Sequence, residues 1–383
     1  MTAPAPKAQL LELTSMRFFA AMAVLLGHFQ AYLGMSPDVT KWFTGGYGVS
    51  FFFVLSGFIL AYVYWEHFEG GVTRPAYRQY AVARFARIYP AYVLGLLLIT
   101  FLFDFINWKW PGAFGYPPNP VTSWLMNLFA LQTFSLSYAT QQVWNGPSWS
   151  ISTEFGFYIL CPFILAIAAS HLRSLGRLAA LLAVTVVFAA AMQALALVLV
   201  FKYGLSQPFV VDVVASRNIF WRFPEFLTGV LAARMLYGGH LPWLANAAAR
   251  NVLLAASLAT IAFINAAPWP TEHVDVVVMR QFRLNVAYML PFAALVLALA
   301  AGPTFASPLL KRPTWVFLGE ISYGIYIYHW VPRTAFDFYL NHGVVPPPWL
   351  VTGVIAGTIM FSAASYLWYE RPLRVFLRKK LGH

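Results

Sequence analysis

Ten largely apolar runs of 17 to 23 residues follow one another along this chain, and no other feature limits its fold as strongly. They cover 16–34, 46–65, 87–106, 150–169, 178–200, 218–236, 251–267, 284–301, 314–332 and 349–368. A helix of that length crosses the roughly 30 Å hydrocarbon core of a bilayer. Only helices and closed barrels satisfy every backbone amide there. The chain is therefore expected to be an all-α integral membrane protein of about ten transmembrane helices. Charge content agrees, since 10% of the 383 residues are charged, against about 25% in soluble domains. No linker or polar block interrupts the series, so the expected organisation is one membrane domain over 1–383, with no appended extracytoplasmic domain.

A net charge of +12 would suggest nucleic acid in a soluble protein. In a membrane protein the placement of the charge matters more, and no nucleic-acid partner is expected. With the N-terminus inside, sixteen of the 25 Lys and Arg fall in cytoplasmic segments, from Lys7 through Arg74 and Arg78 to the "RKK" cluster at 378–380. Seven fall outside: Lys41, Lys109, Lys202, Arg217, Arg280, Arg283 and Arg333. The positive-inside rule then puts both termini in the cytoplasm. "VTSWLMNLFALQTF" at 121–134 is apolar but short for a span. It is expected to be a re-entrant or interfacial piece of the outer segment 107–149, which, with 268–283, faces outward. Cys161 is the single cysteine, in an apolar run, and is read as packing. The N-terminus lacks a cleavage signal, so 16–34 is read as an uncleaved first helix.

Ionisable groups inside membrane helices are costly and face cavities or one another. Here they fall into two layers. His28, Glu154, Arg222, Glu225 and His329 belong to the outer half; Arg17, Arg84, Arg87, Lys311 and Arg312 belong to the inner surface. The outer layer has the makings of general-base chemistry: an imidazole removes a proton from a hydroxyl while a nearby carboxylate orients the ring. His28 with Glu154 fits if their helices adjoin. Arg84 and Arg87, three residues apart, share a helical face, and arginine clusters grip phosphates through forked hydrogen bonds. Arg17 and His28 lie eleven residues apart, hence on one face and about 16 Å apart in height. No metal-ligand cluster stands out.

In this order, "RFFAAMAVLLGHF" (17–29), "GGYGVSFFFVLSGFIL" (45–60), "RFARIYPAY" (84–92), "WSISTEFGFYILCP" (149–162), "RFPEFLTGV" (222–230), "LGEISYGIYIYHWVP" (318–332) and "YERPLR" (369–374) resemble the acyltransferase-3 family of integral membrane O-acyltransferases. The resemblance implies ten or eleven helices. It also implies transfer of an acyl group, usually acetyl from acetyl-coenzyme A, to hydroxyls of glycans such as O-antigen or exopolysaccharide. Relatives act on lipochitooligosaccharides, peptidoglycan or macrolides. By motif, it makes His28 and Glu154 catalytic and Arg17, Arg84 and Arg87 donor-binding. Departures exist: "TSMRF" replaces the family's Asp-Gly-Leu-Arg-Gly opening, leaving Glu12 as the nearest carboxylate, and Phe155 and Gly156 follow Glu154 where many members are acidic.

The expected protein is thus a multi-pass enzyme of a bacterial inner membrane, with membrane lipid as its surroundings. It takes acyl-coenzyme A from the cytoplasm as a substrate and holds no permanent cofactor. The acceptor is a glycan or glycan-like hydroxyl, the alternative being a small molecule or macrolide. Arg222, Glu225, Tyr323, Tyr326 and His329 are expected to line the acceptor's passage. Gly48, Ser56 and Gly57 are read as helix-packing positions. A transporter is the competing class, but the paired hydropathy halves and broken helices of many carriers are not evident.

Overall fold

The computed structural model describes residues 8–43, 45–112, 115–203, 216–267 and 282–381. Its principal helices are α1 (Leu11–Phe29), α2 (Gly45–Phe68), α3 (Arg74–Lys109), α4 (Pro120–Leu128), α5 (Trp149–His171), α6 (Leu175–Tyr203), α7 (Ile219–Tyr237), α8 (Ala247–Ala266), α9 (Met289–Ala300), α10 (Pro313–Tyr328), α11 (Trp330–Asn341), α12 (Pro348–Ser365) and α13 (Arg371–Leu381). No strand occurs among the described residues. Lys7, Arg280 and nearly all of the segment 268–283 lie outside them.

Seven helical stretches among the described residues are long and apolar enough to cross a membrane. They coincide with α2, α3, α5, α6, α8, α9 with the turn before it, and α12 continued into α13. The helices at the other three expected spans are α1, α7 and α10. The first carries Glu12, Arg17 and His28, the second carries Arg222, Glu225 and Arg234, and the third has only 16 residues. A ten-span count requires these to cross too, with their charges met inside the protein.

Three boundaries differ from the sequence expectation. Helix α1 begins at Leu11 rather than 16, so Arg17 lies in its second turn instead of opening it. The cause is Glu12, whose carboxylate meets Lys311 Nζ at 3.1 Å and accepts a hydrogen bond from Ser307 Oγ at 3.0 Å, while Leu13 is buried. With its acid answered, the first turn is free to be helical. Helix α3 runs 36 residues, through Pro90. That is about 54 Å, well beyond the hydrocarbon thickness, so a basic end carrying Arg74 and Arg78 extends past any span. The helix expected at 314–332 breaks only at His329 and continues as α11 to Asn341.

The chain forms two compact units: one from 1–20, 49–77 and 156–320, the other from 21–48, 78–155 and 321–383. In the first, a Cβ on Gly57 would fall 2.0 Å from the Phe226 carbonyl oxygen, and one on Gly229 1.9 Å from that of Val54. Only glycine lets the backbones of α2 and α7 approach so closely, which gives Gly57 its packing role. The same unit holds a cluster of Leu178, Leu231 and Met235. In the second unit, Leu96, Ile99, Phe103, Trp144 and Trp330 form one core cluster. There the segment after α4 is irregular, and buried side chains meet its backbone. Gln132 Nε2 donates to the Ser148 carbonyl at 3.0 Å, Asn127 Nδ2 to the Thr140 carbonyl at 2.8 Å, and the Tyr92 hydroxyl to the Asn127 carbonyl. Helix α4 has nine residues, about 14 Å, too short to span.

Candidate active site

The second unit brings His28 and His329 together. His28 Nδ1 and His329 Nε2 are 2.9 Å apart. The rings lie within 12° of parallel with centroids 5.1 Å apart. That separation equals an in-line N–H···N bond plus two ring radii of about 1.1 Å, so the imidazoles meet edge to edge rather than face to face. His329 is fully buried, and its Nδ1 lies 3.1 Å from the Ile325 carbonyl oxygen.

These contacts fix the direction of every hydrogen bond in the row. A carbonyl only accepts, so His329 Nδ1 carries a proton and donates it to Ile325. In neutral His329 the remaining nitrogen, Nε2, is then an acceptor. His28 Nδ1 must donate to it, which leaves the lone pair of neutral His28 on Nε2. One imidazole thus holds the other in the tautomer a general base needs, as a carboxylate does in a Ser-His-Asp triad. A proton taken up at Nε2 would leave the Nδ1–H bond in place, so the row is able to stabilise an imidazolium at His28.

Gly45 lies beside Nε2. A Cβ on Gly45 would lie 3.6 Å from His28 Nε2, so any side chain there would enter the region beside the lone pair. Trp330 meets the His28 ring at 79° with centroids 5.2 Å apart. Tyr326 packs against His329, and its hydroxyl donates to the Pro147 carbonyl at 3.0 Å and lies 2.7 Å from Ser150 Oγ. Tyr326 is therefore tied to the backbone ahead of α5.

Nδ1 of His28, the atom through which a carboxylate would orient the ring, is engaged by His329. Glu154 is half-buried on α5, within electrostatic reach of the Tyr323 hydroxyl, as are Tyr92, Tyr328 and Glu370. The Tyr323 hydroxyl is buried with no hydrogen-bond partner among the described residues. A donor left so in a polar cluster is suited to a ligand. Arg84 and Arg87 are half-buried on α3, and Arg87 and Arg374 lie within electrostatic reach of Glu370. Glu370 accepts from Ser365 Oγ at 3.0 Å and from the Tyr328 hydroxyl at 3.3 Å.

In the first unit, Arg17 is half-buried on α1. Arg222 and Glu225, expected along the acceptor's passage, sit in a buried cluster of that unit. Arg222 Nε is 3.0 Å from Glu225 Oε2, at ion-pair distance though off the hydrogen-bond line. Arg222 also donates to Asn285 Oδ1, and to Ser50 Oγ at 3.2 Å, and lies over the Phe53 ring. Such a network ties α2 and α7 to the turn at 283–287.

Sequence reasoning assigned no role to Gly45 or Glu370 and did not pair His28 with His329. Gly45 and Glu370 lie in quoted motifs, but a motif does not say which atoms meet. Among the described residues, no group of His, Cys, Asp and Glu is arranged to hold a metal ion.

Residues 10–367 match the acyltransferase-3 family, described as an acyltransferase domain, and the chain belongs to that family. It is 23% identical over 372 residues to YrhL of Bacillus subtilis (strain 168), named as a peptidoglycan O-acetyltransferase, covering 94% of this chain and 54% of YrhL. It is 32% identical over 163 residues to the acyltransferase MdmB of Streptomyces mycarofaciens, covering 39% and 38%. It is 24% identical over 391 residues to nodulation protein 10 of Rhizobium leguminosarum bv. viciae, covering 93% and 91%. The chain spans about half the length of the first of these, 54%. No solved structure matches it.

Proposed function

We propose that the protein is a membrane-embedded O-acyltransferase that moves an acyl group, acetyl in the simplest case, from acyl-coenzyme A to a hydroxyl of a glycan or glycan-like acceptor. The observation that supports this reading is the Ile325–His329–His28 row, whose hydrogen-bond directions put the lone pair of neutral His28 on Nε2. His28 Nε2 takes the proton of the acceptor hydroxyl as the oxygen attacks the thioester carbonyl. The tetrahedral adduct then expels the coenzyme A thiolate, which takes the proton back from the imidazolium. Nothing is consumed beyond donor and acceptor, and the ring returns to its starting tautomer.

Arg84 and Arg87 bind the donor's phosphates, and Arg17 keeps the donor role that its motif implies. Glu154 and Tyr323 line the route toward His28. Ten spans with both termini in the cytoplasm of a bacterial inner membrane, and a non-spanning 121–134 segment, complete the reading. It is tested by incubating purified protein with labelled acetyl-coenzyme A and candidate glycans, following thiol release and label on the acceptor. Acceptor-dependent thiol release supports it. Label retained on His28 in a single turnover points instead to an acyl-histidine intermediate, and an inert donor rejects both.

A further inference from the structure

An open pocket of about 320 Å³ lies in the second unit, with Trp330 as one wall, the tryptophan that packs on His28. Its polar lining is Tyr138, Gln142, Arg333, Thr334 and Asp337. Arg333 and Asp337, one turn apart on α11, form an ion pair at 2.6 Å with side chains 25% and 32% exposed. The guanidinium also lies 4.3 Å over the Trp330 ring, and the Tyr32 hydroxyl donates to Asp337. Both charges are therefore held in place, and they cancel.

We propose that this pocket is the acceptor subsite and that it takes an uncharged sugar ring; this rests on the reading given under Proposed function. Three features select that class. Its volume is at the lower end for small-ligand sites, which suits one or two sugar rings. Its hydroxyl and amide groups are of types that both donate and accept, as a polyol requires, the Thr334 hydroxyl still accepting while it donates to the Trp330 carbonyl at 2.9 Å. Its single cation already has an anion at 2.6 Å, so an acidic ring would bring its carboxylate up against the like charge of Asp337, whereas a neutral ring meets no such repulsion. A free phosphate, or the donor's own, meets the same obstacle.

The test is saturation-transfer NMR on the full-length protein in nanodiscs without acyl donor, so that the result does not depend on turnover. The probes are methyl glucoside, methyl N-acetylglucosaminide and methyl glucuronide. The neutral glycosides are expected to bind at least about tenfold better than the glucuronide, a gap of one charge-assisted contact. Asp337→Asn leaves Arg333 without its anion and is expected to reverse that order. Gln142→Leu is expected to weaken all three probes. A native protein that prefers glucuronide, or an Asp337→Asn variant with native melting and the native order, overturns the proposal. Glycosides that bind as expected but never accept an acetyl group reject the transfer reading and leave the pocket's selectivity standing.

Discussion

If the proposed transfer runs through His28, removing the acceptor that faces it should lower the rate and leave substrate affinity nearly intact. In His329→Leu a side chain of similar bulk fills the buried site, but nothing accepts the proton on His28 Nδ1. The lost bond is neutral in the ground state and charge-assisted once His28 becomes imidazolium. A hydrogen bond to a charged group is worth about 1.5–3 kcal/mol, which corresponds to a roughly 10- to 150-fold fall in kcat. The tautomer is freed as well, so part of the population carries its proton on Nε2, the wrong atom. His329→Gln retains an acceptor oxygen and should recover part of the loss, whereas a purely structural role for His329 would not distinguish Gln from Leu in this way. The assay is steady-state transfer with donor and acceptor varied in turn, alongside thermal melting in detergent. A His329→Leu protein with native melting and kcat within about threefold of native refutes the reasoning, as does a loss that appears wholly in KM.

Three other perturbations follow from the same geometry. Gly45→Val places methyl groups beyond a Cβ already 3.6 Å from His28 Nε2; transfer should fall about a hundredfold, the cost of an ångström-scale displacement of reacting groups, while Gly45→Ala, at ordinary contact distance, is milder. Arg84→Ala and Arg87→Ala should each raise the donor KM about 10- to 100-fold, the worth of a charge-assisted phosphate contact, and leave the acceptor KM nearly constant; unaltered donor binding would assign both residues to lipid headgroups. For topology, a cysteine at exposed Thr73 should resist an impermeant thiol reagent in intact cells, and one at Val345, 71% exposed, should react; equal labelling rejects the ten-span arrangement.

The membrane class was legible because apolar run length and charge scarcity are properties of the chain itself. So was the inventory of polar residues, since a histidine stands out against "FFAAMAVLLG". What the chain withholds is which of these groups meet. His28 and His329 are 301 residues apart, and only tertiary packing sets one nitrogen 2.9 Å from the other. A carboxylate is the usual partner for a catalytic histidine, so sequence reasoning paired His28 with Glu154; in the structure His28 Nδ1 faces the imidazole of His329, whose other nitrogen meets a carbonyl. The start of α1 was misread for a related reason, because a lone glutamate at position 12 looks unfit for a membrane helix until Lys311 and Ser307 are seen against it. Arg222 and Glu225 carried the same ambiguity, since intramembrane charges that line a passage and charges that close a buried network have one signature in sequence.

The claim that His28 is the group that moves the proton is met most directly by His28→Ala, measured as acetyl transfer under donor and acceptor saturation with donor binding followed separately. General-base catalysis contributes about 10² to 10⁴ in rate. Transfer should therefore drop by at least about a hundredfold, while the variant melts as native and still binds acetyl-coenzyme A. A folded His28→Ala protein that transfers acetyl at near-native rate would contradict the account and move the search for the base to Glu154 and Glu370.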